Sequence, residues 1–163
     1  MQNLEDCITY KSAACEQAQT SPEGYPSQAE WLSKLEYTLN ERYKRTGDLH
    51  DLDEAIARPR EAVAAGETLG DFPDRVVLLE SLGYCLSWRY ERTGNLQDIQ
   101  DAIVYPEAAV KGMPEDHPFA NRARQLRSLE IYLSVRYEAT RNLNDLEDAI
   151  NRPEAALQEL PKR

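Results

Sequence analysis

The chain has 163 residues, 41% of them hydrophobic and 29% charged, and a formal net charge of −10. That is the composition of a folded globular protein, with no apolar run near the roughly 18 residues a membrane span needs. Acidic side chains outnumber basic ones by 29 to 19, so nucleic acid and membrane are not expected partners, whereas a basic or amphipathic peptide suits the charge.

Residues 1–22 read as a single helix. The start, Met-Gln-Asn-Leu-Glu-Asp, has neither the basic head nor the apolar stretch of a signal peptide, and a soluble, cytoplasmic protein is the simplest expectation. Leu4-Glu-Asp-Cys-Ile8 returns near the other end as Leu146-Glu-Asp-Ala-Ile150, and Ala13-Ala14-Cys15 as Ala155-Ala156-Leu157. The segment therefore has the pattern of the second helix of a hairpin, standing alone.

The first complete unit, residues 27–70, shows the period. Arg42-Tyr43 recurs as Arg89-Tyr90 and Arg136-Tyr137, 47 residues apart both times. A fixed spacing of that size marks a stacked helical repeat. All three copies carry the same residue at Leu32, Leu35, Leu39, Arg42, Tyr43, Thr46, Leu49, Asp51, Ala55, Ile56, Pro59 and Ala62 and their equivalents.

The second unit, residues 73–115, shows how each copy is built. Val76, Leu79, Leu82, Leu86 and Tyr90 recur at three- or four-residue steps, one apolar stripe of an amphipathic helix A. Thr93-Gly94-Asn95 interrupts it: Gly94 can take the left-handed conformation that ends a helix, and Asn95 can cap the next. Leu96, Ile99, Ala102, Ile103, Ala109 and Val110 then space out a helix B. The connections Gly66 to Asp74 and Gly112 to Phe119 are rich in Gly, Pro and acidic residues, as surface loops are.

The third unit, residues 119–163, has Arg141 where the others have Gly, and the left-handed position is expected to pass to Asn142. The chain ends at Pro161-Lys162-Arg163, just after helix B and without a polar capping helix, so a longer array is expected. A lone hairpin cannot bury its apolar face; stacking its neighbours does. The expected fold is all-α: seven helices, one lone and three hairpins, forming one solenoid domain.

Leu79-x2-Leu82-Gly83-x2-Leu86, followed by Ala102-Ile103, Ala109-Val110 and Pro114, resembles the tetratricopeptide repeat, and the resemblance runs from Leu4 to Pro161. The period of 47 exceeds the family's usual length of about 34. With Pro114-Glu-Asp-His-Pro118 and Arg89-Tyr-Glu-Arg-Thr-Gly94, the unit is similar to the long-period, fungal-type arrays of that family. Those often follow a nucleotide-binding switch domain or accompany a caspase-like protease.

The resemblance implies a right-handed α–α superhelix that binds a peptide or partner protein in its concave groove, as a scaffold needing no cofactor. Carried over by spacing, the groove positions are Glu30, Ser33, Tyr37, Asn40 and Glu41, then Val77, Glu80, Tyr84, Ser87 and Trp88, then Arg124, Arg127, Ile131, Ser134 and Val135. Trp88 stands where the other copies have Glu41 and Val135, so the repeat itself does not demand an aromatic there. It is either an anchor for a peptide or packed between hairpins. Tyr37, Tyr84 and Ile131 read as helix-to-helix packing. The family normally has an aromatic residue where helix B here carries Pro59, Pro106 and Pro153. Proline inside a helix costs roughly 3 kcal/mol, so each helix B is expected to bend or restart there.

Little in the chain points to chemistry. Arg42, Arg89 and Arg136 lie late on helix A, near Asp51, Asp98 and Asp145 at the start of helix B, and read as ties that close each hairpin. Tyr43, Tyr90 and Tyr137 read as wedges at the core. His50 and His117 fall in connections without companions, so no metal site is expected. Cys7, Cys15 and Cys85 lack CxxC spacing and read as reduced, buried side chains. Gly66-Glu-Thr-Leu-Gly70 lacks the Lys-Ser/Thr end of a phosphate loop. The expected protein is not an enzyme. The alternatives are head-to-tail self-association through uncapped ends, or the sensor region of a nucleotide-switch or caspase-like signalling protein.

Overall fold

The computed structural model describes residues 2–18, 28–64, 72–113 and 119–158, and these form seven α-helices and no strand. The helices are α1 (Gln2–Ala18), α2 (Gln28–Thr46), α3 (Leu49–Ala64), α4 (Phe72–Thr93), α5 (Leu96–Lys111), α6 (Phe119–Thr140) and α7 (Leu143–Gln158). Most of both expected surface connections, with His117, Pro114 and Pro161, lies outside the described residues.

The chain divides into two compact units, Met1–Cys85 and Leu86–Arg163, with the boundary inside α4. In the first, α1 packs on α2 and α2 on α3; in the second, α5 packs on α6 and α6 on α7. Helices packed on their sequence neighbours are what a repeating α–α solenoid consists of.

The repeated leucines explain why these segments fold as they do. Leu32, Leu35 and Leu39 on α2, Leu79, Leu82 and Leu86 on α4, and Leu126, Leu129 and Leu133 on α6 are all buried. Spacings of three and four put each set on one face of its helix. Burying one such side chain stabilises the fold by about 1.5–3 kcal/mol.

Each hairpin turns in the same way. Gly47 and Gly94 have φ of 70° and 69°, and their N–H groups bond the carbonyls of Tyr43 and Tyr90 at 2.7 Å. Arg141, with φ 59°, takes this left-handed position itself, bonding the Tyr137 carbonyl at 2.7 Å, so the expected handover to Asn142 does not occur. The reason is local. Asn142 is needed one place later, where its Oδ1 accepts from Asn144 N at 3.2 Å, just as Asp48 caps α3 and Asn95 caps α5.

The Arg–Asp ties are present in all three hairpins. Arg89 donates from Nε to Asp98 Oδ2 at 3.0 Å and from Nη2 to Oδ1 at 2.7 Å; Arg136 does the same to Asp145 at 3.1 and 2.6 Å. Each aspartate is buried in the first turn of its B helix, where the backbone dipole favours a negative charge. Tyr43, Tyr90 and Tyr137, beside the arginines, are half-buried.

Two details differ from expectation. The B helices do not restart at proline: α3 runs unbroken through Pro59, α5 through Pro106, and α7 through position 153. Proline removes one hydrogen bond of the ladder and leaves the others, and Pro59 and Pro106 are buried, so packing holds each helix together on both sides. Cys7 is half-buried rather than buried like its equivalents Ala55 and Ala102; Cys85 is buried, and the Cys15 side chain lies outside the described residues.

Candidate functional site

A polar contact between α2 and α4 organises the surface of the first unit. The buried Cys85 Sγ donates to the buried Glu36 Oε1 at 2.9 Å, and Asn40 Nδ2 reaches Cys85 Sγ at 3.4 Å. The two A helices therefore lie side by side. Tyr37 and Tyr84, each next in sequence to a member of the bonded pair, turn outward and are 67% and 40% exposed. The packing role expected for them, and for the equivalent Ile131, is thereby corrected: all three are exposed. This position lies between the faces that the A helix turns to its neighbours.

Val77 is exposed two turns before Tyr84, and half-buried Glu80 lies between them on the same stripe. On α2 the matching stripe runs Glu30, Ser33, Tyr37, Glu41. Glu30 is held by Lys34 at 2.6 Å and Glu41 by Lys44 at 3.0 Å. Asn40, another expected groove position, is buried in the α2–α4 contact. The first unit thus presents two exposed phenol rings on adjoining helices, with lysine-paired carboxylates on the α2 stripe. Such a surface suits an apolar anchor carried by a partner with basic flanks.

The remaining candidates belong to the second unit. Trp88 is half-buried, between the two alternatives left open for it, and Ser87 is buried. On α6, Arg124 and Arg127 are exposed with Ile131, while Ser134 and Val135 are half-buried. Arg124 donates to Asn121 Oδ1 at 3.2 Å. Where the first unit carries acid, this stripe carries base.

Sequence reasoning missed Glu36. Its repeat equivalents are Gly83 and Glu130, so the period gives no sign of a buried carboxyl; only its place one step from Leu35, beside the apolar stripe, hints at it. Burial raises its pKa to about 7, against the opposing pull of the Cys85 thiol. A second missed feature is the packing of Trp31 edge-on against Tyr10, centroids 5.9 Å apart, with Lys34 Nζ 5.0 Å from the Trp31 ring.

Among the described residues no three His, Cys, Asp or Glu side chains converge on a point where a metal ion could sit. No described helix is long and apolar enough to cross a membrane. Compared with family models, curated proteins and solved structures, the chain matches none.

Proposed function

We propose that the chain is a protein-interaction module of the tetratricopeptide type, a non-catalytic, cytoplasmic scaffold that binds a peptide or partner protein on the outward stripe of its A helices. The observation that carries this reading is the exposure of both Tyr37 and Tyr84, at equivalent repeat positions on the adjoining helices α2 and α4. Two phenol rings on a rigid helical platform offer a large contact area at small entropic cost. The chain's overall charge of −10 favours a basic or amphipathic ligand. In the second unit Trp88, Arg124, Arg127 and Val135 occupy the equivalent repeat positions of the A helices and are further candidates for partner contact.

A displayed library of random peptides, panned against the intact chain, tests the reading. Selected peptides should be enriched in apolar and basic residues. The double substitution Tyr37→Ala and Tyr84→Ala should weaken them at least tenfold, about 1.4 kcal/mol. Peptides that bind both proteins equally would remove this stripe from the interface.

A further inference from the structure

The contact between α2 and α4 holds a carboxyl that is poorly served as an anion. Glu36 is 2% exposed, and its Oε1 accepts from the Cys85 thiol, a weak donor, at 2.9 Å. Its Oε2 is buried with no hydrogen-bond partner among the described residues. The polar groups that act on it are Cys85 and Ser81 on α4 and Asn40 on α2. Charges on the surrounding helices are engaged elsewhere. On α1, Lys11 bonds the Lys34 carbonyl and Thr38, and Glu5 acts on Arg42. On α3, Asp51 and Glu54 also act on Arg42. Lys34 pairs with Glu30 on α2 itself, and Glu80 of α4 lies on the outward stripe.

Neutral, this carboxyl fits its surroundings. Ionised, it is a buried charge with one weak donor, and it regains hydration only where α2 and α4 part. We infer that the α2–α4 seam is a proton-operated latch, shut while Glu36 carries its proton and opened locally when Glu36 loses it. Local opening of this kind needs no global unfolding. The direction follows from linkage. Burial raises the pKa of closed Glu36 from 4.5 to about 7, whereas the open seam leaves the carboxyl solvated. The closed form is therefore fully favoured below pH 4.5, loses ground as pH rises from 4.5 to 7, and loses no more above 7. Tyr37 and Tyr84 adjoin Glu36 and Cys85 in sequence, so opening moves apart the helices that carry the two exposed rings. Control of partner binding by the latch rests on the reading of those tyrosines as a recognition surface; the latch itself does not.

Hydrogen exchange of the intact chain, read by mass spectrometry at pH 5 and pH 8 and corrected for intrinsic rates, tests the latch without a ligand. Amide protection in residues 31–41 and 78–85 should fall roughly tenfold or more between the two pH values. Residues 119–140 in the second unit should lose clearly less. Glu36→Gln should abolish the fall, and Cys85→Ser, a stronger donor to the carboxylate, should reduce it. Equal protection at both pH values overturns the inference, as does the same fall in Glu36→Gln or in residues 119–140, the last because the chain then unfolds as a whole. In a second arm, peptides selected on the parent should bind more weakly at pH 8 than at pH 5, by a larger ratio than with Glu36→Gln. Exchange that responds while the two ratios agree keeps the latch and overturns its control of binding. A failure to select any peptide sinks the tyrosine reading and leaves the exchange result to decide the latch.

Discussion

Glu36 on α2 and Glu130 on α6 occupy one place in the repeat, yet the first is buried against a cysteine thiol and the second is exposed to water. The first and third hairpins differ in the same fashion at their ties. Arg136 uses both oxygens of Asp145, whereas Arg42 directs Nε and Nη2 to the single oxygen Oδ1 of Asp51. Asp51 Oδ2 is buried without a hydrogen-bond partner among the described residues. A shared residue type thus secures the hairpin, while neighbouring residues decide how well each group is satisfied. Equivalence in sequence is equivalence of place, not of environment.

The largest effect should come from breaking a tie. Asp98→Ala removes both hydrogen bonds that Arg89 donates to the buried carboxylate and should lower the free energy of unfolding by about 3 kcal/mol, measured by urea denaturation. The comparison sharpens with asparagine. Asp98→Asn puts an amide N–H where Arg89 Nε donates, whereas in Asp51→Asn the Oδ1 atom can still accept from Arg42 and the amide takes the unpartnered side. Asp51→Asn should therefore cost about 1 kcal/mol less than Asp98→Asn. Equal losses would mean that the two ties are equivalent after all.

Next in size is the buried carboxyl. An unfolded glutamate releases its proton near pH 4.5, while folded Glu36 holds it to about 7. Across that window the folded chain binds a proton that the unfolded chain has lost, so Glu36 makes stability fall as pH rises from 4.5 to 7. Below 4.5 the penalty is absent; above 7 it is complete, at about 3 kcal/mol. Glu36→Gln should accordingly stabilise the chain by about that amount at pH 8 and by little at pH 4. Glu130→Gln, at the exposed site, should change stability by less than about 0.5 kcal/mol at either pH. A parallel response of the two variants would show that Glu36 is as hydrated as Glu130.

These differences also mark how far the sequence could be read. Periodicity made the helices, hairpins and leucine core legible, because packing acts on every copy alike and leaves the same residue in each. The Arg–Asp ties were legible for the same reason. Glu36 was hidden because its environment comes from Cys85 and Asn40, which the other copies lack. Tyr37 and Tyr84 were misjudged because aromatic residues at helical spacing suit a core and a binding surface equally, and only the α2–α4 packing tells them apart. Pro59 and Pro106 signalled a restart that does not occur: each lies buried inside one unbroken helix.

The smallest effect is at the turn, where it separates backbone strain from side-chain compensation. Gly47, Gly94 and Arg141 share the left-handed conformation, and outside glycine that conformation costs about 1–2 kcal/mol. Gly94→Ala should thus destabilise by about 1 kcal/mol through backbone strain, since a Cβ there meets nothing within 4 Å. Arg141→Gly should relieve the strain but widen the conformational freedom of the unfolded chain, which returns part of the gain. It also removes the Arg141 guanidinium from the Tyr137 ring, 5.6 Å from the centroid, an exposed cation–π contact of about 0.5–1 kcal/mol. Together these leave Arg141→Gly near neutral, within about 0.5 kcal/mol of the parent. Arg141→Ala keeps the strain without the ring contact and should be the less stable of the two. Thermal melts of the pair decide the matter: if Arg141→Ala matches the parent, the tyrosine ring contributes nothing and the third hairpin tolerates its turn for another reason.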